Sequence, residues 1–421
     1  MTNKQCYVFS KNKESCCGCS ACVHSCPKHA LVMVEDTEGF LFPKLSPENC
    51  INCGICNKVC PIINDIYANS TEHQECHIAV NANPLYSKRS ATIGFCTMIA
   101  EQFVGHGRFV YGVVLDEHNW QANHICVTEK KDLDKIRNSK YIQSHLNNTF
   151  FEIKQLLLAN EHVLFVGTPC QVAGLKAYLK NDFANLCTVD LICHGVYSYK
   201  LLQKEVAYWE RKLNGRIKNF RFRSKERSPW NSGGIINFDI KDRKGRYRHI
   251  ERHGSCSPVY RCFAYNGDQY YNLRESCYNC HFRSQGRYGD FTVGDAWGIS
   301  GNYPEIFTHS NRKSGISLVF CNTKKANQYL SKLYDELILK TVPANNVFKQ
   351  QALLPIKRQI PRERYLLYSN IDKEEWGNLV SKLLKVNFDH LYIQYSINMY
   401  KDKILYPVKS FVKTILRYFT T

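Results

Sequence analysis

Two short cysteine runs constrain this chain more than any other feature. Cys16, Cys19, Cys22 and Cys26 are spaced C-x2-C-x2-C-x3-C and followed by Pro27; Cys50, Cys53, Cys56 and Cys60 repeat the spacing and are followed by Pro61. Two-residue gaps let a tight loop turn three thiolates inward, and each proline redirects the chain after the fourth cysteine. In this arrangement of two 4Fe–4S clusters the fourth cysteine of each run serves the other cluster. Cluster I is therefore assigned to Cys16, Cys19, Cys22 and Cys60, and cluster II to Cys50, Cys53, Cys56 and Cys26. Gly18 and Gly54 ease the backbone conformations that such loops require. A pair of zinc knuckles is the competing reading, but zinc sites rarely show two identical four-cysteine runs ending in proline. Between the runs, residues 30–36 and 39–45 read as a short β-hairpin. Cys17 is surplus to the pattern and reads as a small buried residue.

The rest of the chain is long enough for one or two further domains, at 421 residues in all. Its N-terminus has no apolar signal segment, and no apolar run approaches the roughly 18–20 residues that span a bilayer, so the chain reads as cytoplasmic. Twenty-one cysteines in such a setting point to metal binding or redox chemistry, not to a disulfide framework. Charge is uneven: residues 1–75 carry a net −2 and the remainder +21. A basic surface of that size favours an acidic electron carrier such as ferredoxin or flavodoxin, an anionic substrate or an anionic membrane. No basic-aromatic recognition module is present, so nucleic acid is not expected as a partner.

After a polar stretch that reads as a linker, residues 63–75, the pattern becomes that of an α/β domain. Residues 77–83 and 108–116 read as strands, with a helix between them. Two further units place a cysteine just beyond a strand and just before a helix. Residues 162–167 lead to Thr168, Pro169 and Cys170, and residues 185–192 lead to Cys193, His194 and Gly195, followed by a helix from about 198 to 213. Ligands bind at that edge of open α/β sheets, and helix N-termini favour thiolates. A separate C-x2-C pair, Cys277 and Cys280, completes a set of four thiols. A third 4Fe–4S cluster is one reading of the set; ordinary buried cysteines are the other. Cys256 and Cys262 compete as ligands. Cys6, Cys76, Cys96, Cys126, Cys187 and Cys321 show no ligand spacing.

The stretches GTPCQVAGL (167–175), DLICHG (190–195), SCYNCHF (276–282) and DFTVGDAWG (290–298), with SKYIQS (139–144), resemble the coenzyme F(420) hydrogenase and dehydrogenase beta-subunit family. The resemblance covers roughly residues 77–350. It implies FAD beside a 4Fe–4S cluster, with Cys170, Cys193, Cys277 and Cys280 matching the cluster ligands. It implies flavin contacts from the strand-end loops, for which Lys140, Tyr141, Ser144, Thr168, Arg287 and Asp295 are the candidates. This chain departs from the complex-bound subunits by carrying its own two-cluster domain and a basic C-terminal extension. It looks more like stand-alone bacterial members encoded with surface-polysaccharide genes. Use of the deazaflavin coenzyme does not follow.

The expected fold is α+β: a two-cluster ferredoxin-like domain (1–68), a flavin and iron–sulfur α/β domain in two parts (77–135 and 136–350), and a basic helical extension (351–421). Residues 406–419 alternate apolar and basic side chains at helical spacing. That suits either an amphipathic helix on an anionic membrane surface, at its cytoplasmic face, or a helix packed on the domain. The expected function is that of an iron–sulfur flavoprotein oxidoreductase. It would take electrons from a ferredoxin-type donor and pass them through the clusters and FAD to an organic substrate. Flavin is needed because clusters carry single electrons and hydride chemistry needs two. His194 and His281 are the candidate proton donors, each equally suited to hydrogen bonding near a ligand. The alternative is a non-catalytic relay subunit of a hydrogenase or dehydrogenase. A radical enzyme is disfavoured because there is no separate C-x3-C-x2-C loop.

Overall fold

The stretch between the cysteine runs folds as expected from its alternation, into strands β1 (Leu31–Glu35) and β2 (Leu41–Leu45), with Leu31 opposite Leu45 and Glu35 opposite Leu41. Asp36 closes the turn: its Oδ1 accepts from the backbone N–H groups of Glu38 at 3.0 Å and Phe40 at 2.9 Å. Two one-turn helices, α1 (Ala21–His24) and α2 (Ile55–Lys58), carry Cys22 and Cys56. The structure is a computed structural model that describes residues 13–64, 67–225, 234–264, 269–351 and 358–397. Cys6 and the amphipathic stretch 406–419 lie outside the described residues.

One mixed sheet organises the body. Its strands are β3 (Glu75–Asn81), β4 (Arg108–Asp116), β5 (Gln121–Val127), β6 (Ser144–His145), β7 (His162–Val166), β8 (Leu186–Leu191), β12 (Phe291–Asp295), β13 (Ser317–Cys321) and β14 (Leu337–Val342). Their order is β14-β3-β13-β12-β8-β7-β4-β5-β6, so strands from 77–135 and from 136–350 share one sheet. The centre is parallel: β4 with β7, β7 with β8, and β8 with β12. Central parallel strands are covered on both faces, which explains the unbroken apolar runs of β7 and β8. Val163, Leu164 and Phe165 are wholly buried. The covering helices include α3 (Phe95–Glu101), α4 (Thr149–Leu158) and α5 (Pro169–Leu179). Because β7, β8 and β12 are parallel neighbours, their carboxyl ends emerge side by side. Thr168, Cys193 and Asp295 stand at that edge.

A second, antiparallel sheet of β9 (Arg216–Arg221), β10 (Ile235–Lys241) and β11 (Tyr247–His253) packs with α6 (Tyr199–Leu213). Ser198 caps α6, its side chain accepting from the N–H of Leu201. The extension beyond 351 contributes two helices, α8 (Arg362–Asn370) and α9 (Trp376–Leu384), after the single turn α7 (Glu275–Tyr278) further back in the chain. Glu205 of α6 binds this layer together. It is fully buried and accepts from Ser257 Oγ at 2.6 Å, Trp209 Nε1 at 2.7 Å, Trp376 Nε1 at 2.9 Å and the Val259 N–H at 3.0 Å. Burial raises its pKa, and these four donors oppose the shift. Among the described residues no helix is long and apolar enough to cross a membrane.

The two-cluster domain is docked on this body through a shared core. Phe40 and Leu41 of the hairpin pack in the same apolar cluster as Tyr197, Tyr199, Leu273 and Tyr368. Arg364 of α8 is wholly buried and pairs with Glu38 at the hairpin turn (2.6 Å) and with Glu275 (3.3 Å). The polar stretch expected to be a linker is also tied down. The Asn69 N–H donates to the Arg287 carbonyl at 2.7 Å, and its side-chain amide donates to that of Gly289 at 2.8 Å.

Candidate metal centres

The four cysteines expected for cluster I, Cys16, Cys19, Cys22 and Cys60, line one cavity of about 250 Å³. The four expected for cluster II, Cys26, Cys50, Cys53 and Cys56, line a second of about 30 Å³. Each loop requires two left-handed residues, and the two loops meet the requirement differently. The first uses Gly18 (φ 67°) and Ser20 (φ 62°); the second uses Asn52 (φ 53°) and Gly54 (φ 70°). Glycine meets this demand without strain, and asparagine is the side chain that tolerates it next best. A thiolate-rich site of this form suits 4Fe–4S clusters, one iron per cysteine.

A third cavity, about 310 Å³, opens at the carboxyl edge of the sheet and is lined by Cys170, Cys193, Cys277 and Cys280 together. Thr168 caps α5 in a capping box with Gln171, which sets Cys170 in the first turn, and Thr168 Oγ1 lies 3.1 Å from Cys170 Sγ. Cys193 follows β8, and Cys277 and Cys280 lie in and just after α7. The four thiols feel one another. Burial pushes Cys193 up to about 12, helped by the charges of Cys170 and Cys280. Cys277 and Cys280 are raised by burial and by their thiol neighbours, and Cys170 first by its hydrogen bond with Cys17 and then by burial. Ionising such a set demands compensating positive charge, which a bound metal supplies.

The cavity wall is basic. Arg274, Arg283 and Arg287 line it. Arg287 is held by the Thr292 hydroxyl, the Phe282 and Leu191 carbonyls and Asp190. Arg283 is 4% exposed, yet its Nε and Nη1 have no hydrogen-bond partner among the described residues, and neither has Arg274 Nη2. Buried guanidinium groups of this kind call for an anion. Four thiolates around a 4Fe–4S core are net negative, so the residues present fit that group. Among the described residues, no three His, Cys, Asp or Glu side chains converge tightly enough for a single ion. Cluster ligands stand further apart because each binds a different iron.

Of the six candidate flavin contacts, two line the four-thiol cavity and four do not. Thr168 and Arg287 face the four-thiol cavity. Ser144 is buried in a polar chain, its hydroxyl 2.9 Å from His124 Nδ1 and accepting from Gln171 Nε2 at 3.0 Å. Lys140 donates to the Arg137 carbonyl at 2.8 Å, and burial lowers it to about 7. Tyr141 packs among Phe222, Tyr260 and Phe263. Asp295 is paired with Arg223, which stacks over Trp297. Of the two histidines, burial drops His194 to about 4, and His281 lines the third cavity.

Cys256 and Cys262 are buried in the apolar layer between α6 and the extension, away from the four-thiol cavity. The twenty described cysteines are all free thiols. Sequence reasoning missed Arg274, Arg283 and Gln143. For the arginines a signal was present: Arg274, Arg283 and Arg287 flank the Cys277–Cys280 pair within a few residues on either side. Gln143 stands within the SKYIQS stretch, between two of the candidate flavin contacts, but its role exists only across the domain contact.

Residues 15–62 match the family described as the 4Fe-4S dicluster domain, and residues 160–347 match the one described as the C terminus of the beta subunit of coenzyme F(420) hydrogenase/dehydrogenase. The chain thus joins a segment similar to the 4Fe-4S dicluster domain to one similar to the C terminus of that beta subunit. An uncharacterized polyferredoxin-like protein of Methanocaldococcus jannaschii is 34% identical over 58 residues, which is 12% of this chain and 34% of that protein. The chain therefore spans about a third of the length of that curated relative. Among solved structures, the F(420)-reducing NiFe hydrogenase complex from Methanosarcina barkeri has a chain that is 18% identical, with a TM-score of 0.36, over 68% of this chain and 90% of that one.

Proposed function

We propose that this protein is an iron–sulfur flavoprotein oxidoreductase with three 4Fe–4S centres. Electrons enter from an acidic one-electron carrier such as ferredoxin or flavodoxin and leave to an organic substrate. The observation that carries the reading is the run of three cavities, each lined by one complete set of four expected ligand cysteines, with Cys56 also shared between the first two and Cys17 between the first and third. The orphaned arginine nitrogens at the third cavity support an anionic group there.

Each residue then has a definite task. Cys170, Cys193, Cys277 and Cys280 would hold the third centre, and Arg274 and Arg283 would offset its charge. Thr168 would hydrogen-bond the Cys170 sulfur, an interaction that tunes cluster potential. FAD enters on the resemblance of the strand-end motifs and on electron counting, since it exchanges one electron at a time but delivers two. A role in surface-polysaccharide synthesis and a tail resting on an anionic membrane belong to the same proposal. So does the alternative of a relay subunit, which would bind the clusters but reduce no organic substrate.

Anaerobic purification with iron, sulfide and flavin analysis tests the reading. The expected result is about twelve irons per chain with bound FAD. A content near eight irons removes the third centre, absence of flavin removes the oxidoreductase reading in favour of a relay, and zinc in place of iron overturns the whole.

A further inference from the structure

Among the equivalent positions at which the two cysteine loops differ, one carries a further thiol. Between the first two ligands of the first loop stand Cys17 and Gly18; between those of the second stand Ile51 and Asn52. Ile51 is 58% exposed. Cys17 is turned inward, lining both the cluster I cavity and the four-thiol cavity. Its thiol neighbours those of Cys19 and Cys170.

The surrounding backbone holds it there. Gln143 Nε2 donates to the Cys17 and Gly18 carbonyls, both at 2.9 Å. Arg274 Nε donates to the Cys16 carbonyl at 2.8 Å, and its Nη1 donates to Gln143 Oε1 at 3.0 Å. On the far side, α5 comes so close that a Cβ on Gly174 would sit 2.9 Å from Cys19 Cβ and 3.1 Å from Cys19 Sγ. That helix begins with Cys170 in its first turn. The loop and the helix are therefore pressed together with Cys17 between their ligand sulfurs.

We infer that Cys17 is a non-ligating thiol that couples cluster I to the third four-cysteine site, donating its S–H to the ligand sulfur of Cys19 or Cys170. This rests on the proposed third centre and adds to it an order and a connecting residue. Cluster II, with exposed Cys53, faces the outside donor. Cluster I is the exit. With both centres bound, a one-electron transfer would oxidise the centre held by Cys19 by one and reduce the centre held by Cys170 by one, while the Cys17 proton would stay on sulfur and no bond would break. A single S–H between two acceptors stabilises whichever sulfur carries more charge, so it raises the potential of the site that has just been reduced.

The test uses the full chain, purified anaerobically, as wild type, Cys17→Ala, Cys17→Ser and the control Ile51→Ala. Readouts are iron content, midpoint potentials by spectroscopic titration, and spin coupling between cluster I and the third site in the reduced protein. Cys17→Ala is expected to keep all its iron, lower both potentials, weaken the coupling, and slow electron arrival at the third site about tenfold. Serine should restore the potentials in part, and Ile51→Ala should leave the potentials of cluster I and of the third site, and the coupling between them, where they are. Loss of about four irons in Cys17→Ala overturns the inference by making Cys17 a ligand. Twelve irons with unmoved potentials and coupling also overturn it, while leaving the three-centre reading standing. Wild type with only eight irons removes both.

Discussion

The two cysteine loops have one spacing and two environments. The first is buried at a domain contact, the second faces solvent. Their left-handed residues show what the difference teaches. At the shared position before the second cysteine, the first loop has Gly18 and the second Asn52. Both backbones are left-handed, so conformation alone does not demand glycine. Contact does: a Cβ on Gly18 would sit 2.8 Å from Gln143 Nε2 and 3.0 Å from the Leu41 carbonyl oxygen. The helices that follow differ in the same way. His24 closes α1 and packs against Phe150 and Tyr178 of the body, with ring centroids 4.8 and 5.8 Å apart. Its counterpart Lys58 closes α2. The same local motif thus serves as an internal junction at one end and an external terminal at the other.

Breaking the latch that holds the first loop in place should have the largest effect. Arg364→Ala leaves Glu38 and Glu275 without their buried cation, and such a loss costs about 3–5 kcal/mol. Thermal unfolding followed by both iron absorbance and tryptophan fluorescence should show the two-cluster domain releasing first. A single unshifted transition would show that the apolar contacts of Phe40 and Leu41 suffice.

Replacing the paired glycine and asparagine sharpens the comparison directly. Gly18→Ala should cost about 2–4 kcal/mol, combining left-handed strain with overpacking against Gln143. Asn52→Ala, with left-handed strain only, should cost about 1 kcal/mol. Denaturant titration of both variants under anaerobic conditions measures the gap. Equal losses would mean that the first loop is not held where the structure places it.

Acid should act on the buried side alone, and more gently. Burial lowers His24 to about 4 from an ordinary value of 6.5. A histidine depressed in the folded state favours docking fully above pH 6.5, and that contribution is lost as pH falls through 4. Because His24 is only half-buried, solvent screening limits the effect to roughly 1 kcal/mol. Hydrogen exchange of α1 between pH 7 and 5 should rise in wild type and stay level in His24→Gln, while α2 should not respond. An equal response in α2 would place the titration elsewhere.

Much of this protein was written in its sequence because the determinants are local. The ligand spacing of Cys16 to Cys26 and Cys50 to Cys60, the hairpin between them, the apolar strands ending at Val166 and Leu191, and the cap at Ser198 all depend on neighbours a few residues away. The coming together of Cys170, Cys193, Cys277 and Cys280 was suggested by strand-end placement and by resemblance, though spacing alone left it open. Other features had no local trace. Cys17 looked surplus because its partner Cys170 is more than 150 positions away. Gly174 looked like an ordinary helical glycine until Cys19 was found against it. Gln143, Arg274 and Arg364 act only across the seam between the two-cluster domain and the sheet. A cysteine run specifies which sulfurs can share a cluster, because the geometry is set within one loop. Which loop is buried, and which centre it meets, depends on close packing between distant segments, and only the tertiary structure decides that.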